Sequence, residues 1–175
     1  MIGPKRFLLA GAFIALAAVP AAADSAPTLL GAFKDWSAFQ ATTRDGKVCY
    51  AMARPKSSEP RKAARDAIYF LISDWPSRKS KAEPQIVPGY QYKPDSKVTA
   101  QVGSDKVEFF TRNDGGSGSA WVEDQADEAR LIDAMKRGAQ LIVTGLSQHG
   151  TLTRDTYSLG GISAALEKVD QACGM

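Results

Sequence analysis

The sequence predicts a mainly β domain that carries two short helices near its C-terminal end. Apolar and polar residues alternate along residues 98–102, with the period of two that is typical of half-buried strands. The pair Asp45 and Gly46 is a strong hairpin signal between two such segments. In the last third of the chain, apolar residues instead recur at helical spacing, which indicates helices that cover a sheet.

The N-terminal segment is predicted to be a cleaved signal peptide. Lys5 and Arg6 precede an almost unbroken apolar run at residues 7–19. That run is shorter than the roughly 20 residues that span a bilayer. A proline and three alanines follow, and signal peptidase requires such small residues before its cleavage site. We therefore expect residues 1–23 to be removed, with an uncleaved anchor as the competing interpretation.

The mature protein is then expected to be one domain, residues 24–175, in the periplasm, at the cell surface or secreted. Removing Lys5 and Arg6 lowers the formal net charge from +3 to +1, since 3 − 2 = 1. So small a charge gives no reason to expect binding to nucleic acid. No further membrane-spanning segment is predicted.

Cys49 and Cys173 are the two cysteines of the chain, and both lie in the mature part. An exported protein meets an oxidising compartment, where two cysteines most simply form one disulfide. Their spacing is not that of a metal site.

Three strands are predicted in the first half of the domain. Residues 33–41 form a first strand or an irregular edge, and residues 47–54 follow the Asp-Gly turn. Cys49 and small alanines share one face of that second strand, so a neighbouring element can approach closely. Residues 67–75 are continuously apolar, as expected of a strand buried on both faces. Loops are predicted at residues 55–65 and 77–88.

The second half is predicted to continue with strands. A short strand at 90–94 precedes a hairpin formed by 98–102 and 106–112. The Gly/Ser-rich residues 113–119 form a turn. The last strands are predicted at 120–123, 141–146 and 151–159.

The two helices have clear end signals or a clear apolar stripe. Residues 126–137 begin with acids and end with Lys136, Arg137 and the stop residue Gly138, in the order that the helix dipole favours. The final segment has an apolar stripe that places a cysteine on its core-facing side. Its members are Ile162, Leu166, Val169 and Cys173.

Six short segments, taken in order, carry a family resemblance. They are Phe-Lys-Asp-Trp at 33–36, Lys-Val-Cys-Tyr-Ala at 47–51, Tyr-Phe-Leu-Ile-Ser at 69–73, Ala-Trp-Val at 120–122, the helical residues 131–138, and Asp-Thr-Tyr-Ser-Leu at 155–159. Together with the helix that ends at Cys173, they resemble a short form of the invasion-associated locus B family of exported proteobacterial proteins. The resemblance covers nearly all of the mature chain.

The resemblance implies an immunoglobulin-like β-sandwich with peripheral helices and a periplasmic or surface location. It also implies an association with host-cell invasion in pathogenic members. Lys34 replaces the usual glycine of the family's Phe-Gly-Asp-Trp motif, and Gln40 stands where longer members carry a cysteine. Their early disulfide therefore cannot form, which leaves Cys49 to pair with Cys173. The family supplies no catalytic residues to carry over.

No catalytic site, metal site or cofactor is predicted. His149, the only histidine, lies in a Gln-His-Gly turn with no evident partners. The glycine-rich residues 115–118 precede a strand and not a helix, so they indicate a hairpin turn and not a phosphate loop. A cluster of acids is explained by the start of the first helix, although paired carboxylates leave a hydrolase as an alternative. The cluster comprises Glu123, Asp124, Asp127, Glu128 and Asp133.

Trp36, Trp75 and Trp121 are the three tryptophans. Aromatic residues at strand positions usually pack in a core or at an edge. We therefore predict packing roles for them and no sugar-stacking platform.

Two basic stretches flank the predicted strand at 67–75 and form the candidate partner-binding site. If the two loops fold together, they form a patch for anionic lipid headgroups, lipopolysaccharide or an acidic partner. If they lie at opposite ends of the strand, their charges do not merge, and solvated loops are the simpler interpretation. The candidate residues are Arg61, Lys62 and Arg65 before the strand and Arg78, Lys79 and Lys81 after it.

These observations favour a non-enzymatic exported envelope protein that acts by binding an envelope or host component. One alternative is a structural or stress-protective periplasmic protein with no specific ligand. The other is a carboxylate-dependent hydrolase.

Overall fold

The computed structural model describes residues 26–61 and 63–175. The predicted signal peptide and Lys62 lie outside the described residues. The strands are β1 (Thr28–Phe33), β2 (Trp36–Thr43), β3 (Gly46–Ala53), β4 (Ser57–Glu59), β5 (Tyr69–Trp75), β6 (Ser80–Val87), β7 (Lys97–Val102), β8 (Asp105–Asp114), β9 (Ser117–Trp121), β10 (Gln140–Leu146) and β11 (Leu152–Ser158). The helices are α1 (Gln125–Arg137) and α2 (Ile162–Cys173), with a short 3₁₀ turn at Pro76–Arg78.

All of these strands belong to one antiparallel sheet. Its order is β1-β2-β3-β5-β6-β9-β8-β7-β10-β11-β4. Most neighbours are joined by hairpins, which need only short turns. The exceptions are β3 with β5, which β4 separates in the chain, and three pairs of strands from distant parts of the chain, namely β6 with β9, β7 with β10, and β11 with β4. These four pairings join the hairpins into one sheet.

The sheet curls so that its two halves face each other across one core. Phe70 on β5 packs 5.8 Å from Tyr157 on β11 and 6.3 Å from Phe109 on β8, measured between ring centroids. The indole nitrogen of Trp36 on β2 donates a hydrogen bond of 3.0 Å to the carbonyl oxygen of Ser158. These contacts join strands that are far apart in the sheet order. The predicted mainly β, sandwich-like fold with two helices near the C-terminus is therefore confirmed.

The segment between β3 and β4 carries the chain from one half of the sheet to the other. β3 pairs with β2 and β5, whereas β4 pairs with β11 at the far edge. The amide of Lys56 donates to the carbonyl of Thr156 at 2.7 Å just before β4 begins. The predicted loop at 55–65 therefore contains a short strand that the sequence did not indicate.

Two further predictions of local structure are wrong. Most of the predicted loop at 77–88 is the strand β6, because Pro84 and several charged residues gave this segment the composition of a loop. A proline is tolerated inside a strand where its missing N–H is not needed, and the ladder with β9 ends at Gln85, next to Pro84. The predicted strand at 90–94 is reduced to one bridge between Tyr92 and Ser147.

The predicted first strand is two strands joined by a tight turn. β1 and β2 are separated only by Lys34 and Asp35. Lys34 has a φ of 55°, a left-handed conformation that glycine adopts without steric cost. This explains why the family's motif has glycine at the position of Lys34.

Both helices were predicted closely. The side chain of Asp124 accepts a hydrogen bond of 2.6 Å from the amide of Ala126 and caps α1, which ends at Arg137, directly before the expected stop residue Gly138. α2 ends at Gly174, whose φ of 68° lies in the left-handed region. No helix of residues 26–61 and 63–175 is long and apolar enough to cross a membrane.

The disulfide joins β3 to the end of α2. Cys49 and Cys173 are bonded, as the sequence predicted, and both are buried. α2 contacts β1, β2, β3 and β5, so the bridge fixes one end of this helix against the first half of the sheet. Ala38 and Ala51, both fully buried, are the small residues that let the helix approach.

We expect the double variant Cys49→Ala and Cys173→Ala to lose about 2–5 kcal/mol of its free energy of unfolding. The bridge spans 124 residues of sequence, so its removal frees a long loop in the unfolded chain. Urea unfolding of both proteins measures the difference. Reductant should lower the stability of the wild type and leave the variant unchanged. A wild-type midpoint insensitive to reductant would contradict this account.

Candidate functional site

A cleft of about 440 Å³ opens on the outer face of the sheet, across four neighbouring strands and beside α1. We call it the outer-face cleft. Its volume lies within the ~300–1,000 Å³ that is typical of small-molecule sites. It is lined by Asp45, Trp75, Arg78, Glu83, Gln85, Phe110, Arg112, Trp121, Val122 and Glu128.

Strand alternation places the aromatic rings in this cleft. Phe109 and Ala120 are buried in the core, so the next residues, Phe110 and Trp121, point to the opposite face. Phe110 and Trp121 are paired across β8 and β9, with ring centroids 6.1 Å apart. Trp121 is paired on its other side with Gln85 of β6.

Trp75 reaches the cleft from the end of β5. The pairing register of β5 and β6 shifts between Ser73 and Trp75, and such irregularities re-aim side chains. The indole nitrogen of Trp75 is buried and has no hydrogen-bond partner. Trp36, by contrast, is fully buried in the core. The predicted packing role therefore describes Trp36, whereas Trp75 and Trp121 are half-buried cleft residues.

Two guanidinium groups already lie on rings of the cleft. Arg78 lies over the ring of Trp75, 4.4 Å from its centroid, and 3.6 Å from the carboxylate of Glu83. Arg112 lies over the ring of Phe110 at 5.4 Å. Such contacts are attractive because the face of an aromatic ring is negative. The rings of this cleft are thus positioned to receive cations.

The two glutamates of the cleft differ in their surroundings. Glu83 accepts a hydrogen bond of 3.0 Å from the hydroxyl of Ser80 and faces Arg78. Glu128, on the first turn of α1, is half-buried and has no hydrogen-bond or ion-pair partner for its side chain within the described part of the chain. Burial, together with the carboxylates of Glu83 and Asp124, raises the pKa of Glu128 to about 6. An unpaired carboxylate in such a place is a recognised mark of a functional site.

In the sequence, Glu128 belongs to a cluster of five acids that was explained by the start of the first helix. The five are Glu123, Asp124, Asp127, Glu128 and Asp133. Asp124 does cap α1, and Asp127 forms an ion pair of 2.8 Å with Arg130. Glu128 alone of the five reaches the outer-face cleft. Glu83, which the sequence did not single out, approaches it from β6.

The basic residues predicted to bind a partner do not form one patch. β5 has seven residues, so its ends lie about 20 Å apart. Arg61 is exposed at one end, and Lys62 lies outside the described residues. At the other end Lys79 is exposed, and Lys81 is 3.3 Å from the carboxylate of Asp170. The second arrangement considered for the two loops, in which their charges do not merge, is therefore the one observed.

Arg65 is an internal residue and cannot offer a free charge to a partner. Its guanidinium makes two hydrogen bonds to the carboxylate of Asp155, at 2.8 and 2.7 Å, and their side chains are only 5% and 2% exposed. Arg65 also donates to the carbonyl of Pro88 and lies 4.9 Å from the centroid of the Tyr90 ring. The proposal of a basic contact therefore rests on the other five residues.

The remaining candidates have the simple roles that the sequence indicated. His149 is exposed in the turn between β10 and β11. Gly115 and Gly116 have positive φ and close the hairpin of β8 and β9. Among the described residues, no group of three or more side chains could hold a metal ion.

Comparison with known proteins agrees with the resemblance seen in the sequence. A family model described as "Invasion associated locus B (IalB) protein" matches residues 36–170. A crystal structure of invasion associated protein b from Bartonella henselae has a TM-score of 0.58 and 14% sequence identity, over 86% of this chain and 100% of that chain. At this identity the structural match supports the fold alone. No curated protein sequence matches the chain.

We expect Arg65→Leu to lower the free energy of unfolding by about 3–5 kcal/mol, because it leaves the carboxylate of Asp155 buried without a partner. Arg61→Leu is the matched control, and its exposed side chain should change stability by less than about 0.5 kcal/mol. Urea unfolding distinguishes the two variants. Equal effects would contradict the internal role of Arg65.

We expect the carboxyl group of Glu128 to titrate with a midpoint near its pKa of about 6. The folded protein then holds this proton more tightly than the unfolded chain does. Its contribution to stability is therefore fully present below the unfolded pKa of about 4.3 and is lost as pH rises through the folded pKa. Carbon-13 NMR of the carboxyl signals, assigned with Glu128→Gln, measures the midpoint.

Glu83→Gln should lower that midpoint, because it removes one of the two neighbouring negative charges. Asp133→Asn, at an exposed position of the same helix, should leave it unchanged. A midpoint at the ordinary glutamate value of about 4.3 would show that Glu128 is not held in the cleft as described.

Proposed function

Because the chain belongs to the invasion-associated locus B family, we propose that it is a non-enzymatic exported envelope protein that acts by binding. Its partner is a component of the envelope or of a host, and its contact site is the outer-face cleft. Its place of action is the periplasm or the cell surface.

Two observations support export. The sequence begins with a basic pair, an apolar run and small residues, as signal peptides do. The bond between Cys49 and Cys173 uses both cysteines of the chain, and such structural bonds persist in oxidising compartments.

The outer-face cleft is the observation that carries the binding proposal. Three aromatic rings line a concavity of the surface, together with charged groups of both signs. Trp75, Phe110 and Trp121 supply apolar area, and large aromatic residues dominate the energetics of protein interfaces. Glu83 and Arg112 supply polar groups that can fix the orientation of a ligand.

The predicted basic contact is retained as a second part of the proposal. Arg78 lines the cleft, and Lys79 follows it directly in the exposed 3₁₀ turn. Any anionic portion of a partner would meet these residues at the rim. Arg61 lies at the other end of β5 and would need a second contact.

One observation favours a carboxylate-dependent hydrolase as a second candidate. Glu128 has a pKa near 6, whereas Glu83 receives a hydrogen bond and faces a guanidinium. Two carboxyl groups that face one cleft are the arrangement that glycoside hydrolysis uses. Hydrolysis of envelope glycans that is abolished by either Glu83→Gln or Glu128→Gln would favour this candidate over binding alone.

Crosslinking capture from intact envelopes tests the binding proposal. We expect the wild type to capture a reproducible partner that Trp121→Leu loses. The matched control is Phe39→Leu, because Phe39 also lies on the outer face of the sheet, stacked at 5.4 Å on Tyr50 and away from the cleft. Phe39→Leu should capture as the wild type does.

The other outcomes separate the alternatives. Loss of the partner only when Arg61 and Lys62 are changed to Ser would move the contact to the first basic stretch. Equal capture by all variants would exclude the cleft. Failure of the wild type to capture any partner would overturn the binding proposal and favour a structural or stress-protective role.

A further inference from the structure

The charged side chains that line the outer-face cleft do not cancel one another. The inference drawn from this imbalance rests on the proposed function and adds a class of ligand to it. Three carboxylates line it, those of Asp45, Glu83 and Glu128, against the two guanidinium groups of Arg78 and Arg112. With all of them ionised, the lining carries a net charge of 2 − 3 = −1. The excess negative charge indicates a ligand that brings a positive one.

One ring and two carboxylates in the cleft have no cation of their own, and of those carboxylates Asp45 is exposed whereas Glu128 is half-buried. Trp75 is covered by Arg78, and Phe110 by Arg112. Within the described residues, no cation lies over Trp121, and none pairs with Glu128. Tryptophan is the most favourable ring for a cation. Trp121 and the half-buried carboxylate of Glu128 are therefore available to a cation that a ligand brings.

We propose that the outer-face cleft binds an alkylammonium group, which contacts the face of Trp121 and is neutralised by Glu128. Aromatic rings attract such ammonium groups through their negative faces, and a nearby carboxylate adds the attraction of an opposite charge. The same chemistry occurs in choline-type headgroups and in lysine side chains.

The arrangement is less suited to other ligands of this size. A sugar that stacks on the rings would need bare ring faces, and an arginine already lies over two of the three rings. A small anion would meet Asp45, Glu83 and Glu128 in the same space. A half-buried carboxylate without a partner is costly, and an ammonium ion would remove that cost.

The surroundings of Glu128 agree with this assignment. Burial comes first among the causes that raise its pKa, and the two charged causes, Glu83 and Asp124, are both acids. The charged groups that share the cleft with it are Asp45, Arg78, Glu83 and Arg112. A bound cation should therefore lower this pKa and release a proton at about pH 6.

Choline and its uncharged isostere 3,3-dimethylbutan-1-ol provide the direct test on the full mature protein. The readout is the three tryptophan indole N–H signals in nitrogen-15 NMR, with the buried Trp36 as internal reference. Sodium chloride keeps the ionic strength equal. We expect saturable shifts at Trp121 with choline and binding at least tenfold weaker for the isostere. Equal binding of the two probes would overturn the proposal.

Glu128→Gln should weaken choline binding about tenfold and abolish its dependence on pH. The wild type should bind several-fold more weakly at pH 5 than at pH 7.5, although the charge of choline is constant. Asp133→Asn, which makes the same change of charge on an exposed part of α1, should bind as the wild type does. Equal loss in both variants would show only a general charge effect and overturn the assignment to Glu128.

A parallel titration with Nα-acetyl-lysine amide identifies the source of the group. Tighter binding of choline indicates a headgroup, and tighter binding of the lysine derivative indicates a side chain. If neither binds, the alkylammonium proposal is wrong. If capture from envelopes still depends on Trp121, the proposed function stands and the ligand is a different one. If neither the titrations nor the capture experiment shows binding that depends on Trp121, both proposals are wrong.

Discussion

The packing around Phe70 is the contact on which the rest of the structure depends. Its ring makes edge contacts with Trp36, Phe109 and Tyr157, at centroid distances of 6.2, 6.3 and 5.8 Å. These partners come from both halves of the curled sheet, so this cluster closes the sandwich. Because side chains alternate along a strand, burying Phe109 fixes Phe110 on the outside. The outer-face cleft is therefore a consequence of how the core is packed.

The carboxylates of Asp155 and Glu128 lead to different interpretations because their surroundings differ. Arg65 and Asp155 satisfy each other with two hydrogen bonds, so the pair is held at little net cost and serves the fold. Glu128 has no such partner, and its raised pKa records the cost of its position. Residues that break a local rule without compensation within the fold are concentrated at functional sites. This contrast is why we place function at Glu128 and not at Arg65.

Local signals in the sequence predicted the elements that depend on local contacts. The cap at Asp124 and the stop at Gly138 were sufficient to define α1 almost to the residue, and the stripe ending at Cys173 defined α2. β6 was missed because Pro84 and its charges resemble a loop, and only pairing on both sides makes it a strand.

The candidate site was harder to predict because it depends on distant contacts. Alternation alone indicates that Phe110 and Trp121 point outward, but not that β6 lies beside β9 and brings Gln85 opposite Trp121. Likewise, no local pattern shows that Arg65 pairs with a residue 90 positions away. The two basic stretches looked alike in sequence, and only the fold separates an internal arginine from exposed ones.

The disulfide and the outer-face cleft are connected through the end of β5. Cys49 is paired in register with Asp74, which is fully buried and directly precedes Trp75. One carboxylate oxygen of Asp74 accepts a hydrogen bond of 2.8 Å from the amide of Ala82, which fixes the hairpin between β5 and β6. That hairpin carries Trp75, Arg78 and Glu83, one wall of the cleft. The bond between Cys49 and Cys173 therefore lies beside the end of β5, whose outer side forms one wall of the cleft.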